Sequence, residues 1–116
     1  MGIAEFESVI GYEFKDKELL KIALTHSSYA NENKMPVNNE RLEFLGDSVL
    51  STIISEYLYN NYKNVREGEL TNLRSKIVQR NTLDNLAVKI GLNKLITSSE
   101  NTHQYKAHIN GNAFEA

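Results

Sequence analysis

Three acids in the stretch NNERLEFLGDSVL, residues 38–50, are spaced as a chemical site would need. Glu40, Glu43 and Asp47 stand at i, i+3 and i+7. On a helix that advances about 100° per residue they fall on one narrow stripe. Partly buried carboxylates in such a row repel one another and stay ionised only with positive charge between them. Hard oxygen donors on a rigid helix suit Mg²⁺, with Mn²⁺ as a substitute, rather than zinc. Such a cation can lower the pKa of a bound water and stabilise the leaving oxygen of a phosphodiester. Acids at this spacing also occur on solvated helix faces, so spacing alone supports a helical domain with a candidate cation site.

The helix carrying these acids has an unusual pattern. Leu42, Leu45, Val49 and Ile53 lie opposite the acids and are expected to face the core, while the acid stripe itself continues as Leu50 and Ile54. A helix apolar nearly all round is normally central. Gly46 in its middle costs about 1 kcal/mol relative to alanine, which a close approach by a neighbouring helix would explain.

The other elements must position this helix. Helical periodicity prevails, and alternation typical of strands is missing over any long stretch, so the predicted fold is all-α. Residues 3–9 predict a short helix closed by Gly11, and Asp16 caps a second that runs to about Thr25 with Leu19, Leu20, Ala23 and Leu24 on one face. Residues 26–38, polar and holding the single proline, Pro36, predict a loop. Asn38 or Asn39 caps the long helix, which runs to about Tyr62. Gly68 to about Val78 forms the next, with Leu70, Leu73 and Ile77 inward. Asn81 or Thr82 caps another through Ile90, stopped by Gly91. A short turn covers Lys94 to Ile96, residues 98–110 predict a loop, and a last helix starts near Gly111. That last helix is then only about one turn long at Ala116, too short to be stable alone. The expectation is a domain over residues 1–116 that is incomplete at its C-terminus and poorly active by itself.

Composition narrows the class. The 116 residues suit one domain, with 41% hydrophobic and 24% charged residues. With no cysteine there is no disulfide framework and no thiolate metal site. No apolar run approaches the roughly 20 residues that span a bilayer, and the first residues do not read as a signal peptide, so a soluble cytoplasmic protein without membrane contact is expected. The formal net charge is −2. A domain that held RNA by charge alone would be basic, so metal ions, a partner chain or another module would have to offset phosphate repulsion.

The residues themselves are more specific than their spacing. NERLEFLGDSVL, Asn39 to Leu50, resembles the signature of the ribonuclease III family almost letter for letter. IGYEFKDKELLKIALTHSSYANE from Ile10, REGELTNLRSKIV from Arg66 and GNAFEA from Gly111 are similar to further segments of that family. The resemblance implies an all-helical endonuclease domain with a long central signature helix. It implies a homodimer that cuts double-stranded RNA with Mg²⁺, leaving 5′-phosphates and short 3′ overhangs, in ribosomal or messenger RNA processing. Position by position, it assigns Glu43 and Asp47 to the metal-site acids of the signature helix and Glu115 to the acid of the second motif. Asp47 and Glu115 are thereby the expected catalytic residues. Glu40 and Glu67 match acids near the site that engage RNA or outer-shell water. Phe44 matches an aromatic that plugs into the partner subunit, with Gly46 near the same crossing.

Asn112 stands where the family most often has aspartate. Its amide oxygen can still face a cation, but with one negative charge fewer. The double-stranded-RNA-binding domain usual in the family is not among these residues. An alternative reading is therefore a catalytically weak domain of this family that binds RNA or dimerises. Of the remaining candidates, Thr25-His26-Ser27-Ser28 reads as a helix cap or packing element rather than a nucleophile and base. His103 and His108 read as surface residues. Arg74, Lys76 and Arg80 fit either phosphate contact or the solvated edge of a helix.

Overall fold

A computed structural model describes residues 2–99 and 106–116. Seven α-helices follow one another: α1 (Ile3–Ile10), α2 (Lys17–Ala23), α3 (Ser27–Glu32), α4 (Glu40–Asn61), α5 (Glu67–Val78), α6 (Arg80–Lys89) and α7 (Lys106–Glu115), with a 3-10 turn at Leu92–Lys94. Among the described residues the only sheet-like pairing is an isolated parallel bridge between Thr25 and Thr97. The all-α expectation holds.

Local chemistry explains most boundaries. Asp16 caps α2 by accepting from the Leu19 N–H at 3.0 Å. Gly11 ends α1 at φ 70°, a left-handed conformation that glycine adopts without a Cβ penalty. Gly91 does the same after α6 at φ 84°. Several boundaries differ from the sequence expectation, among them the short turn, which spans Leu92–Lys94 rather than Lys94 to Ile96. Residues 27–32 form α3 instead of loop, because the His26 ring accepts from the Ser28 N–H at 3.1 Å and caps it. The cap at Thr25–Ser28 is thus real. The penultimate helix begins at Arg80, ahead of Asn81 and Thr82. The last begins at Lys106 and is ten residues long, so the part of the expected loop over 106–110 is helical. Residues 100–105 of that loop, including His103, lie outside the described residues.

The core is built from Phe6, Leu20, Leu24, Ala87, Leu92 and Ala113, with Phe14, Ile90 and Phe114 packed around it. Helix α7 packs against α6 and α4, and Ile109 and Ala113 are buried. Two tertiary contacts give α7 more support than one turn of helix could have alone.

Helix α4, about 33 Å long at 1.5 Å per residue, is not the buried centre of this core. Its fully buried side chain is Leu58. The inward stripe is Glu43, Gly46, Leu50, Ile54 and Leu58, all half-buried or buried. Leu45, Val49 and Ile53, expected inside, are 59%, 49% and 58% exposed, and Phe44 is 79% exposed. A helix that is apolar nearly all round offers no polarity contrast to choose its inner face. Here Gly46 chooses it, by letting α7 in on the side of the acids. Two hydrogen bonds anchor the start of α4. The Asn39 N–H donates to the Thr25 carbonyl at 2.9 Å, and the Asn39 side-chain amide donates to the Ala23 carbonyl at 3.1 Å. Asn39 is 2% exposed.

The first two helices are tied by a single carboxylate. Glu7 Oε2 accepts from the Phe14 N–H and from Lys17 Nζ, both at 2.6 Å. The Lys17 bond, then the Phe14 bond, hold the Glu7 carboxyl below the ordinary carboxylate range. A depressed carboxylate pKa contributes stability above the unfolded value, and this is lost as pH falls through the folded value. Glu7→Gln is expected to lower the Tm at neutral pH, with a deficit that shrinks in acid. Thermal melts at several pH values check this; a deficit independent of pH would sink the assignment.

Candidate active site

The acids of α4 meet α7 where the two helices cross. A Cβ built on Gly46 would lie 1.5 Å from the Glu115 carbonyl oxygen, far inside van der Waals contact. Glycine is thus required there for α4 and α7 to approach this closely. This contact lies within the chain, between α4 and α7. The crossing brings Glu115 beside Asp47 and places Asn112, one turn earlier on α7, at the same opening.

The result is a polar cavity of about 520 Å³ whose lining includes Glu40, Glu43, Asp47, Arg80, Asn112 and Glu115. Asp47 is exposed, Glu43 and Asn112 are half-buried, and the Glu115 side chain is 2% exposed. Phe44 and His26 also reach the cavity. Glu67 does not; it lies in a separate groove between α4 and α5 with Thr52, Ser55 and Arg74.

Charge in the cavity is finely balanced. Burial raises the pKa of Glu115, the adjoining Asp47 carboxyl raises it further, and Arg80 opposes both. Burial likewise raises Glu43, against the pull of Arg80 and with the push of Glu40 and Asp47. Arg80 Nη1 donates to Glu115 Oε1 at 2.5 Å, and Nη2 lies 4.0 Å from Glu43 Oε1. Burial pushes the His26 imidazole down, towards neutrality. Its Nδ1 also lies 2.7 Å from the Ser28 hydroxyl.

A further carboxylate supports α7 one turn before Glu115. Asp84 on α6 is buried, and its Oδ1 accepts from the Gly111 N–H at 2.6 Å. A Cβ on Gly111 would stand 2.7 Å from that oxygen and 3.2 Å from Arg80 Cδ. Gly111 is therefore the small residue that lets α6 reach the turn of α7 holding Asn112. Neither Asp84 nor the Arg80 bridge was anticipated from the sequence. A signal was present: Arg80, Asp84 and Ala87 share one stripe of α6, so two charges stand in line with a core alanine. The other phosphate candidates lie elsewhere. Arg74 donates to the Ser55 hydroxyl at 2.8 Å, bracing α5 on α4, and Lys76 is exposed. His108 is exposed.

Among the described residues no three His, Asp or Glu side chains stand together at metal-ligand spacing. The donor types nevertheless fit a hard cation: the carboxylates of Glu40, Glu43, Asp47 and Glu115 and the Asn112 amide oxygen line one cavity, with no thiolate.

These features define an all-helical domain whose acidic cavity is built across two crossing helices. The chain belongs to the ribonuclease-III-like family, whose model matches residues 16–116. It is 48% identical over 113 residues to Ribonuclease 3 of Bacteroides fragilis, covering 96% of this chain and 39% of that protein. It is 47% identical to Ribonuclease 3 of Nitratiruptor sp., covering 98% of this chain and 50% of that one. The chain thus spans half or less of the length of these relatives. Among solved structures, the nuclease domain of ribonuclease III from Campylobacter jejuni superposes with a TM-score of 0.88 at 38% identity, over 98% of this chain and 80% of that one. That structure is described as flexible in a region involved in dimer formation. Dicer from Pichia stipitis aligns with a TM-score of 0.63 at 28% identity, over 90% of this chain and 46% of that one.

The helix crossing yields a direct test. Gly46→Ala must push α7 away from α4, at a cost of about 3 kcal/mol or more for overpacking against backbone. Urea unfolding should show that loss; wild-type stability in the variant would contradict the crossing.

Proposed function

We propose that this domain is the catalytic part of a metal-dependent endoribonuclease that hydrolyses phosphodiesters of double-stranded RNA. The observation that carries the reading is Asp47 beside Glu115 in one polar cavity with Glu43 and Asn112. Asp47, Glu115, Glu43 and the Asn112 amide oxygen are the residues that would hold Mg²⁺, or Mn²⁺ in its place. Bound there, the cation would supply Lewis acidity at phosphorus and a nucleophilic water.

The chain's own residues set the terms of that chemistry. Asp47, at the solvent-facing side, meets incoming phosphate and water. Glu115, buried behind it, is held in direction by Arg80 and in depth by the Gly46 contact. Glu40 stands at the exposed rim, where it would orient outer water or RNA. Glu67, one groove away, would reach RNA only along a longer footprint. By family resemblance the products carry 5′-phosphates and short 3′ overhangs, and the substrates are structured ribosomal or messenger RNA precursors in the cytoplasm. Among the described residues no helix is long and apolar enough to cross a membrane.

We further propose a homodimer through the outer face of α4. Phe44, Leu45, Val49, Ile53 and Tyr57 form one exposed apolar stripe. A second copy of that stripe would bury it and place two acidic cavities along one duplex. Phe44→Asp should dissociate the dimer. Two Phe side chains at about 1.5–3 kcal/mol each raise the dimer Kd by roughly 100-fold or more. Sedimentation equilibrium reads this, and an unchanged mass would overturn the interface.

For catalysis, Asp47→Ala or Glu115→Gln in the whole protein should lower Mg²⁺-dependent cleavage of long double-stranded RNA by about 10²-fold or more, the usual loss when one transition-state charge group is removed. Near-wild-type cleavage would refute the site. In the same assay, a large gain from Asn112→Asp would favour a catalytically weak domain, whereas no gain marks Asn112 as a working ligand.

A further inference from the structure

Arg80 has no role in the family resemblance, yet the cavity is organised around it. Among the described residues lining that cavity it is the only lysine or arginine, and it faces four carboxylates, those of Glu40, Glu43, Asp47 and Glu115. Its guanidinium bonds Glu115 at 2.5 Å and reaches Glu43 at 4.0 Å, thereby linking α7 to α4. The stem of the side chain runs past Gly111, where an added Cβ would stand 3.2 Å from Arg80 Cδ. The arginine therefore enters the site through a slot that glycine leaves open. With its side chain 40% exposed, it also has room to move outward.

We propose that Arg80 is a built-in counter-cation: a positioning residue that holds Glu115 and Glu43 across the α4–α7 crossing and competes with a divalent cation for the same carboxylate oxygens. Two properties follow from the geometry. A fixed positive charge among the acids offsets their repulsion, so the crossing is stable before any divalent ion arrives. A divalent ion taking Glu115 as a ligand must share or displace the Nη1 hydrogen bond, and meets the repulsion of a unit charge. The site is thereby tuned to weaker metal binding than its acids alone would give, with little rearrangement of the acids when the ion binds. This inference rests on the cation site proposed above.

The test measures binding and stability rather than cleavage. Mn²⁺ affinity of the purified chain is read by calorimetry and by electron paramagnetic resonance for wild type, Arg80→Gln and Arg80→Lys. Arg80→Gln should bind Mn²⁺ about tenfold more tightly, the size expected for removing a unit charge about 5 Å from a divalent ion in water-like dielectric. It should also melt lower than wild type in EDTA and gain more in Tm from Mn²⁺. Arg80→Lys, which keeps the charge, should stay close to wild type in affinity. Equal or weaker Mn²⁺ binding by Arg80→Gln, with wild type binding normally, overturns the proposal. If wild type binds no Mn²⁺, the cation site itself fails. Should Arg80→Gln not fold, NMR of the wild-type Arg80 side-chain N–H groups decides: their signals should shift and lose exchange protection on adding Mg²⁺, and unmoved signals would overturn the competition.

Discussion

Everything at the site depends on one steric allowance, the missing Cβ at Gly46. It lets the backbone of α7 at Glu115 rest against the middle of α4. Two helices that meet this closely align their side chains over several turns. Because the contact falls between Glu43 and Asp47, α7 delivers its own acid among theirs. A side chain at residue 46 would separate the helices and with them the two halves of the acidic cavity. The packing contact and the chemical site are therefore one feature, and the cost of glycine in a helix is offset by the contact it permits.

That crossing concentrates negative charge, and the remaining contacts around it read as responses. Arg80 reaches in from α6 and bonds the buried acid. Asp84, one turn further along α6, receives the Gly111 N–H and holds α7 one turn before Glu115. Helix α6 thus supplies both a positive charge to the acids and an acceptor to the backbone that carries them. Asn39, fully enclosed, pins the start of α4 to the end of α2. The long helix is held at its N-terminal end, at Gly46, and past the site by α5 through the Arg74 bond to Ser55.

Turning the Glu43–Gly46 side inward also explains the exposed face. A helix with apolar residues nearly all round must bury one side at the expense of another. Once Glu43 and Gly46 face α7, Phe44, Leu45, Val49 and Ile53 are left outside. The same rotation that builds the cavity creates the surface suited to a second copy. In the proposed reading, assembly and catalysis would be linked through the orientation of a single helix.

Read as sequence, the chain already determined its helices and their punctuation: Asp16, Gly11 and Gly91 act within a few residues of where they stand, and local hydrogen bonds decide them. The acid stripe of Glu40, Glu43 and Asp47 was legible for the same reason, since helical periodicity is a local rule. Family likeness pointed to Glu115. What only the tertiary structure decided was the inner face of α4, because its composition offers no contrast to choose by. It also decided the start of α7, whose first turns hold too few apolar residues to announce themselves and are stabilised by α6. The bridge from Arg80 to Glu115 spans 35 residues, and the Asp84 bond to Gly111 spans 27. Such contacts depend on how helices cross, and a crossing is set by the shapes of two surfaces at once, not by the order of residues along either one.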